Sequence, residues 1–265
     1  MLTLVIALLA GFGIMLVTTR DLGPVWGMIC GLLIVLVVQL LIGLLIRRKV
    51  NRVNENIQSI MAGAQAKINR KVQLFQQRPV GNPKMMQQQL EKEQFEAIRA
   101  AIAATDAAAP YYKWNLLLRK QIDTMKMMLY FQLREFDRVD ALMPRCLFLD
   151  ARSVATKLVR MFKLDDPGLD KFYRKKAKKF KGEDLALVAS TYAYMQLKRD
   201  DAAGALQTLI DARKRTDNPV VRENWERLVN GKNKLFSNAG LGDSWYSLYL
   251  ETPKIKPQRV QQRPF

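Results

Sequence analysis

Residues 2–17, LTLVIALLAGFGIMLV, and residues 25–46, VWGMICGLLIVLVVQLLIGLLI, are two uncharged, strongly apolar runs separated by Thr18-Thr19-Arg20-Asp21-Leu22-Gly23-Pro24 and closed by Arg47-Arg48-Lys49. The second run has 22 residues with one polar interruption, Gln39. As a helix it is roughly 33 Å long, enough for the ~30 Å hydrocarbon core of a bilayer. The first run has 16 residues and lies at the short limit for a span, so it predicts some mismatch with bilayer thickness. Gly11 and Gly13 on the first run, and the Gly27/Gly31 pair on the second, are small enough to let two helices approach closely. The expectation is a transmembrane helical hairpin over residues 1–48. Reading the first run instead as the core of a signal peptide fits less well. No Lys or Arg precedes it, and Val17-Thr18-Thr19 is not a small-x-small cleavage site.

The charge distribution orients this hairpin. The connecting loop carries Arg20 and Asp21, which cancel, whereas Arg47, Arg48, Lys49 and Arg52 crowd the far end of the second run. These membrane-boundary charges predict a cytoplasmic location for residues 47 onward, and two spans then return both termini to that side. The chain has 265 residues and a formal net charge of +19, all of it in residues 47–265. Such a charge favours anionic lipid, an acidic protein or nucleic acid as neighbours, unless it is only the solvated surface of a basic protein.

Beyond the basic cluster every segment reads as helix. In residues 50–78, Val53, Ile57, Ile60, Met61, Ala64, Ile68, Val72 and Phe75 recur at spacings of three and four. Arg52, Asn56, Gln65 and Arg70 lie opposite. That pattern suits a stalk continuing the second span, or a basic amphipathic helix lying on head groups. Pro79-Val80-Gly81-Asn82-Pro83 breaks it and sets a boundary, so residues 49–83 form a stalk or linker. Helical patterns follow over 84–105, 111–133, 136–149, 152–163, 168–181, 183–197, 201–214 and 219–229. Asn218-Pro219 starts the last and Asn230-Gly231 stops it. The fold class expected is all-α, a hairpin followed by stacked helices.

The segment Tyr130–Met143, YFQLREFDRVDALM, has the look of a helix–turn–helix repeat. Tyr130, Leu133 and Phe136 flank a tight turn, and Val139, Met143 and Cys146 form the inner stripe of the next helix. Related positions recur at Tyr173, Ala177 and Phe180, and at Ala205, Leu209 and Ala212. This pattern resembles the tetratricopeptide repeat, over residues 84–230 and in degenerate form, with Met127 where the family has a glycine. The resemblance implies an α-solenoid, in which neighbouring helix pairs stack to bury stripes none can bury alone. An irregular helical bundle is the plainer alternative. Two spans followed by such repeats also resemble the layout of HemY-type bacterial inner-membrane proteins, which implies a bacterial inner-membrane location and an accessory role beside a membrane-associated pathway.

Two surfaces are candidates for binding. Lys171, Arg174, Lys175, Lys178 and Lys181 fall on one face of the helix expected over 168–181, opposite Leu169, Phe172, Tyr173, Ala177 and Phe180. Lys176, within the apolar arc, is expected to turn outward. The ridge could dock acidic lipid, an acidic partner or RNA, or be merely the solvated face of a repeat helix. With no RNA-binding signature, nucleic acid is the least supported partner. The segment 231–253 contains Trp245, Tyr246 and Tyr249, which either cap the last helices or border a peptide groove. The tail 254–265 has two prolines, four basic residues and no acid, the composition of a disordered basic segment.

No residue pattern suggests catalysis. There is no histidine, no nucleophile elbow, no phosphate loop and no metal-ligand spacing around Cys30 or Cys146. The acid pairs Asp165-Asp166 and Asp200-Asp201 fit helix starts. The functional expectation is a cofactor-free, non-enzymatic scaffold that recruits a protein or peptide to the cytoplasmic face of the membrane. The alternative is a structural or accessory subunit of a transport, secretion or envelope-biogenesis complex.

Overall fold

The computed structural model describes residues 2–77 and 82–253. Among the described residues all regular structure is helical. The predicted break at 79–83 and the predicted basic tail therefore lie largely or wholly outside them. The chain divides into two compact units, Met1–Leu147 and Phe148–Phe265. That division falls inside the segment read from the sequence as one run of repeats.

In the first unit α1 spans Leu2–Leu22 and α2 spans Pro24–Gln77. α1 does not stop with the apolar run at Val17. The Thr18 hydroxyl donates to the carbonyl of Ile14 (2.8 Å) and that of Thr19 to Met15 (2.7 Å), so both polar side chains satisfy themselves along the helix. The 21 residues of α1 then reach about 31 Å. The reversal is made by one residue, Gly23, whose φ of +87° suits glycine. Pro24 begins α2, where its missing N–H is least costly.

The two helices meet through glycines. A Cβ on Gly11 would lie 2.7 Å from the Gly31 carbonyl oxygen, and one on Gly31 would lie 2.9 Å from that of Gly11. A Cβ on Gly27 would come within 3.0 Å of the Thr19 backbone. Gly13 faces open space. Backbones this close permit the dispersion contacts that hold helices together where burial from water cannot. The outward faces carry Leu4, Leu8, Leu9, Phe12, Leu32, Leu36 and Leu40, each more than half exposed.

α2 runs on without interruption for 54 residues, about 80 Å, because Arg47-Arg48-Lys49 are good helix formers and nothing breaks the chain until the segment after Gln77. Residues beyond 49 are not a lone stalk. Ile57 is buried against Ile98, Ala101, Leu129 and Leu133, with Val53, Ile60 and Met61 packed beside them. Of the two roles expected for this segment, helical continuation is the one found.

α3 (Pro83–Ala104) starts on an Asn82 cap, whose side-chain oxygen accepts from the Lys84 N–H at 2.9 Å, and runs antiparallel along α2. A 3-10 turn (Thr105–Tyr111) leads to α4 (Leu116–Gln132), which runs back beside α2. A second small core, Ala108, Leu118 and Ile122, closes on Val50, Val53, Tyr111 and Tyr112. The turn after α4 matches the expected helix–turn–helix. Arg134 has φ +60°, and the Glu135 and Arg134 N–H groups donate to Tyr130 and Phe131, both at 3.0 Å. Phe131 and Phe136 meet edge to face, and Val139 is fully buried. α5 (Phe136–Leu142) is short, however. Pro144 turns the chain into a 3-10 segment (Met143–Arg145), and Cys146 is extended rather than on a helix.

The second unit contains α6 (Ala151–Lys163), α7 (Leu169–Ala177), α8 (Gly182–Lys198), α9 (Ala202–Arg213), α10 (Pro219–Val229) and the single turn α11 (Asp243–Tyr246). α6 packs on α8, α8 on α9 and α9 on α10. α8 is central, with Leu185 to Ala193 buried all round. Ala205, Leu209 and Ala212 form the buried stripe of α9, as their spacing predicts. The helices are of unequal length, nine residues for α7 and seventeen for α8.

The turn seen after α4 recurs after α6 and α8, with Asp165 at φ +50° and Asp200 at φ +60°. In each the next N–H reaches back five residues, Asp166 to Met161 and Asp201 to Gln196, both at 2.9 Å. The acid pairs therefore do not both belong to helix starts. Asp165 and Asp200 end helices in the left-handed region, whereas Asp201 caps α9 through Gly204 N–H (2.8 Å) and Asp166 accepts from Gly168 N–H (2.7 Å).

Candidate functional site

The basic face is exposed throughout. Lys171, Arg174, Lys175, Lys178 and Lys181 all face solvent. Its geometry differs from the helical ridge expected, because α7 ends at Ala177 and Lys178 and Lys181 lie on the turn that follows. The Arg215 guanidinium explains that ending. It donates to the carbonyls of Ala177 (3.0 Å), Lys178 (3.1 Å) and Phe180, capping the helix from outside. Leu169, Ala177 and Phe180 are buried beneath. Tyr173 stacks on Tyr192 with ring centroids 3.8 Å apart, and the Tyr192 hydroxyl donates to Asp170 at 2.8 Å. Burial first, then the Asp170 hydrogen bond, pushes the Tyr192 phenol well above its ordinary range; burial and Asp211 do the same to Tyr173.

Lys176 does not turn outward. Its ammonium donates to the Phe148 carbonyl at 2.6 Å and lies 5.9 Å from the Phe172 ring. Lys157 sits over both Phe148 and Phe172, at 4.6 and 4.8 Å. The aromatic pair thus takes up two cations beside the basic face. Burial, with Lys179, Lys175 and Lys157 nearby, lowers the Lys176 pKa.

The aromatic segment is built inward. Asn224 of α10 is fully buried and holds the incoming strand of chain. Its side-chain N–H donates to the Ser237 carbonyl (3.0 Å) and to Asn238 Oδ1 (2.9 Å), and its oxygen accepts the Ser237 N–H (3.0 Å). Asn238 in turn donates to the Ser190 carbonyl of α8 at 2.9 Å. Trp245 is completely buried, edge-on to Tyr194 at 5.1 Å, with its indole N–H donating to Glu251 at 2.8 Å. Tyr246 is half-buried, and Tyr249 is 37% exposed at φ +55°. The indole therefore fills the unit's own core, and among the three aromatics Tyr249 presents most surface.

Arg47, Arg48 and Lys49 are exposed on α2 at the end of the apolar run, one turn before Val53 joins the helical core. A further feature, not read from the sequence, is a cleft of about 920 Å³ between α2 and α3. Ile60, Ala64, Ala97 and Ala100 line its floor, with Lys67, Arg70, Glu93 and Glu96 around it. An ion pair between Lys71 and Glu93 bridges it and lowers the Glu93 pKa. Its signal was the small-residue run Ala97, Ala100 and Ala101 opposite Gly63 and Ala64, which becomes meaningful only once α3 is known to fold back. Among the described residues no three His, Cys, Asp or Glu side chains converge as a metal site, and Cys30 and Cys146 are not joined.

No protein-family model, curated protein or solved structure matches this chain. Among the described residues the protein is all-helical, and its two N-terminal helices are long and apolar enough to cross a membrane. The resemblances to tetratricopeptide repeats and to HemY-type proteins rest on the sequence pattern alone.

Proposed function

We propose that this protein is a membrane-anchored helical scaffold. α1 and α2 form a two-span hairpin in a bacterial inner membrane, and the helices after Pro83, of degenerate tetratricopeptide-like type, recruit an acidic protein or peptide at the cytoplasmic face. The observation that carries this reading is the continuity of α2. The same 54-residue helix supplies the apolar span and, through Ile57, the core of the first helical unit. Such a helix holds the platform at the bilayer, and tethering acts by raising the local concentration of whatever the platform binds. The exposed cations Lys171, Arg174, Lys175, Lys178 and Lys181 are the docking surface, with the Arg215 cap holding their turn in place. A photo-crosslinking residue at Lys175 of the full chain, in native membranes, is the test. A discrete adduct that disappears when Lys171, Arg174 and Lys178 are changed to Glu supports the proposal. An adduct pattern indifferent to that charge reversal overturns it.

A second reading has its own observation. The exposed leucines of α1 and α2 could pack on the spans of other subunits, which would make the chain an accessory part of a membrane transport, secretion or envelope-biogenesis complex.

A further inference from the structure

The α3–α4 connection is placed where the apolar part of α2 ends. The antiparallel contact, with Gly11 beside Gly31 and Thr19 beside Gly27, sets Thr3 level with the stretch Gln39–Gly43. The Thr3 hydroxyl donates to the Trp114 carbonyl at 3.5 Å. Tyr111 and Tyr112 pack with the small core that meets Val50 and Val53. The segment from Tyr111 to Leu117 therefore spans the levels from about Leu41 to Val50, a stretch of α2 that includes Arg47, Arg48 and Lys49. Its composition suits that level. Tyr111, Tyr112 and Trp114 are only half-buried, Leu117 is 54% exposed, and Lys113, Arg119 and Lys120 face solvent. The nearby Asp106 is neutralised by Lys126 at 2.6 Å.

We infer that the tip of the α3–α4 hairpin, Tyr111–Lys120, is a second membrane contact that seats in the anionic head-group layer of the bilayer crossed by α1 and α2. This rests on the hairpin anchoring proposed above. The aromatic rings occupy the boundary between hydrocarbon and water, where an apolar body and a polar edge are both satisfied. Leu117 enters the acyl boundary, and Lys113, Arg119 and Lys120 join Arg47, Arg48, Lys49 and Arg52 in a ring of positive charge facing lipid phosphates. An acidic soluble protein would satisfy the same cations, but it would leave Leu117 and Trp114 without apolar cover. The bilayer is the occupant because the tip is carried on the spans themselves. The contact fixes the first unit against the membrane at a second point, so that it cannot swing about α2.

The test uses the full chain with Cys30 and Cys146 changed to Ala, reconstituted in nanodiscs of three parts phosphatidylcholine to one part phosphatidylglycerol. Nitroxide labels are placed one at a time at Leu117→Cys, Leu36→Cys and Leu74→Cys, and collision with oxygen is compared with collision with a water-soluble nickel chelate. Leu36 lies mid-span, and Leu74 is an equally exposed leucine on α2 about 36 Å beyond Val50. The expected result is an oxygen-to-nickel ratio at Leu117 severalfold above that at Leu74 and below that at Leu36. Reversal of Lys113, Arg119 and Lys120 to Glu should return the Leu117 ratio to the Leu74 value, with helical circular dichroism unchanged. A Leu117 label as open to nickel as Leu74, or one unmoved by charge reversal, overturns the inference. If Leu36 is also open to nickel the anchoring itself fails; if Leu36 is shielded and Leu117 is not, only the second contact fails.

Discussion

Replacing Trp245 with Ala tests whether the aromatic segment is part of the core or a detachable groove element. The indole is fully buried, lies edge-on to Tyr194 at 5.1 Å and donates to Glu251 at 2.8 Å. Truncating a buried Trp to Ala costs about 3–5 kcal/mol, from lost transfer energy and the cavity left behind. Glu251 is partly solvated, so losing its donor adds little. A loss of about 4 kcal/mol corresponds to roughly a thousandfold change in an opening equilibrium, at 1.4 kcal/mol per decade. The suitable assay is hydrogen exchange by mass spectrometry on the full chain in detergent, because it separates the two units. Peptides covering Leu185–Ala193 in the centre of α8 should exchange about a thousandfold faster in W245A. Peptides around Ile57 and Ile98, in the other unit, should not change. Trp245→Phe keeps the edge contact and loses the N–H bond, so an intermediate cost of about 1–2 kcal/mol is expected. Acceleration of less than tenfold in α8, or an equal effect in both units, would refute the view that this segment completes the second unit's core.

Other outcomes follow from the same contacts. Gly11→Leu and Gly31→Leu should lower the thermal midpoint in detergent and Gly13→Leu should not, since only the first two meet the partner backbone; equal effects would contradict the packing described. Asp165→Gly and Asp200→Gly should each stabilise the second unit by about 0.5–1 kcal/mol, because glycine relieves the left-handed backbone at a greater gain than its entropy costs; denaturant midpoints check this. The half-buried Tyr173 and buried Tyr192 phenols have folded pKa values raised above the unfolded value of about 10. The folded state therefore holds their protons more tightly, and this contribution is complete below pH ~10 and lost as pH rises beyond it. Tyr192→Phe should flatten the alkaline fall in thermal midpoint, and an unchanged profile would show that these phenols do not set it.

Much of this architecture was legible because it depends on local chemistry. The apolar runs, the Asn218-Pro219 start and Asn230-Gly231 stop of α10, and the Leu133-Arg134-Glu135-Phe136 turn are determined by residues close in sequence, and they appear where the pattern places them. What the pattern could not show depends on distant partners. Nothing near Ala177 announces the end of α7, because the guanidinium that caps it comes from Arg215. Lys176 reads as an outward-facing cation until the Phe148 carbonyl is found within reach. The segment after Lys49 reads as a stalk until α3 and α4 fold back onto Ile57. Trp245, Tyr246 and Tyr249 were visible as a cluster, but the direction in which each points is set by Asn224 and Asn238, which read as ordinary polar residues. The position of the α3–α4 tip was hidden for the same reason. Tyr111, Tyr112 and Trp114 lie more than sixty residues from the basic cluster at Arg47–Lys49 and meet its level only through the return of α3.

The proposed topology has α1 and α2 crossing a membrane as a hairpin, with Arg20 and Arg48 on opposite sides. Single cysteines at Arg20 and Arg48, in sealed membranes of known orientation and in a chain lacking Cys30 and Cys146, test it most directly with a membrane-impermeant maleimide. Labelling of Arg20→Cys from the outer side only, and of Arg48→Cys from the cytoplasmic side only, is the predicted result. Labelling of both positions from the same side would contradict it.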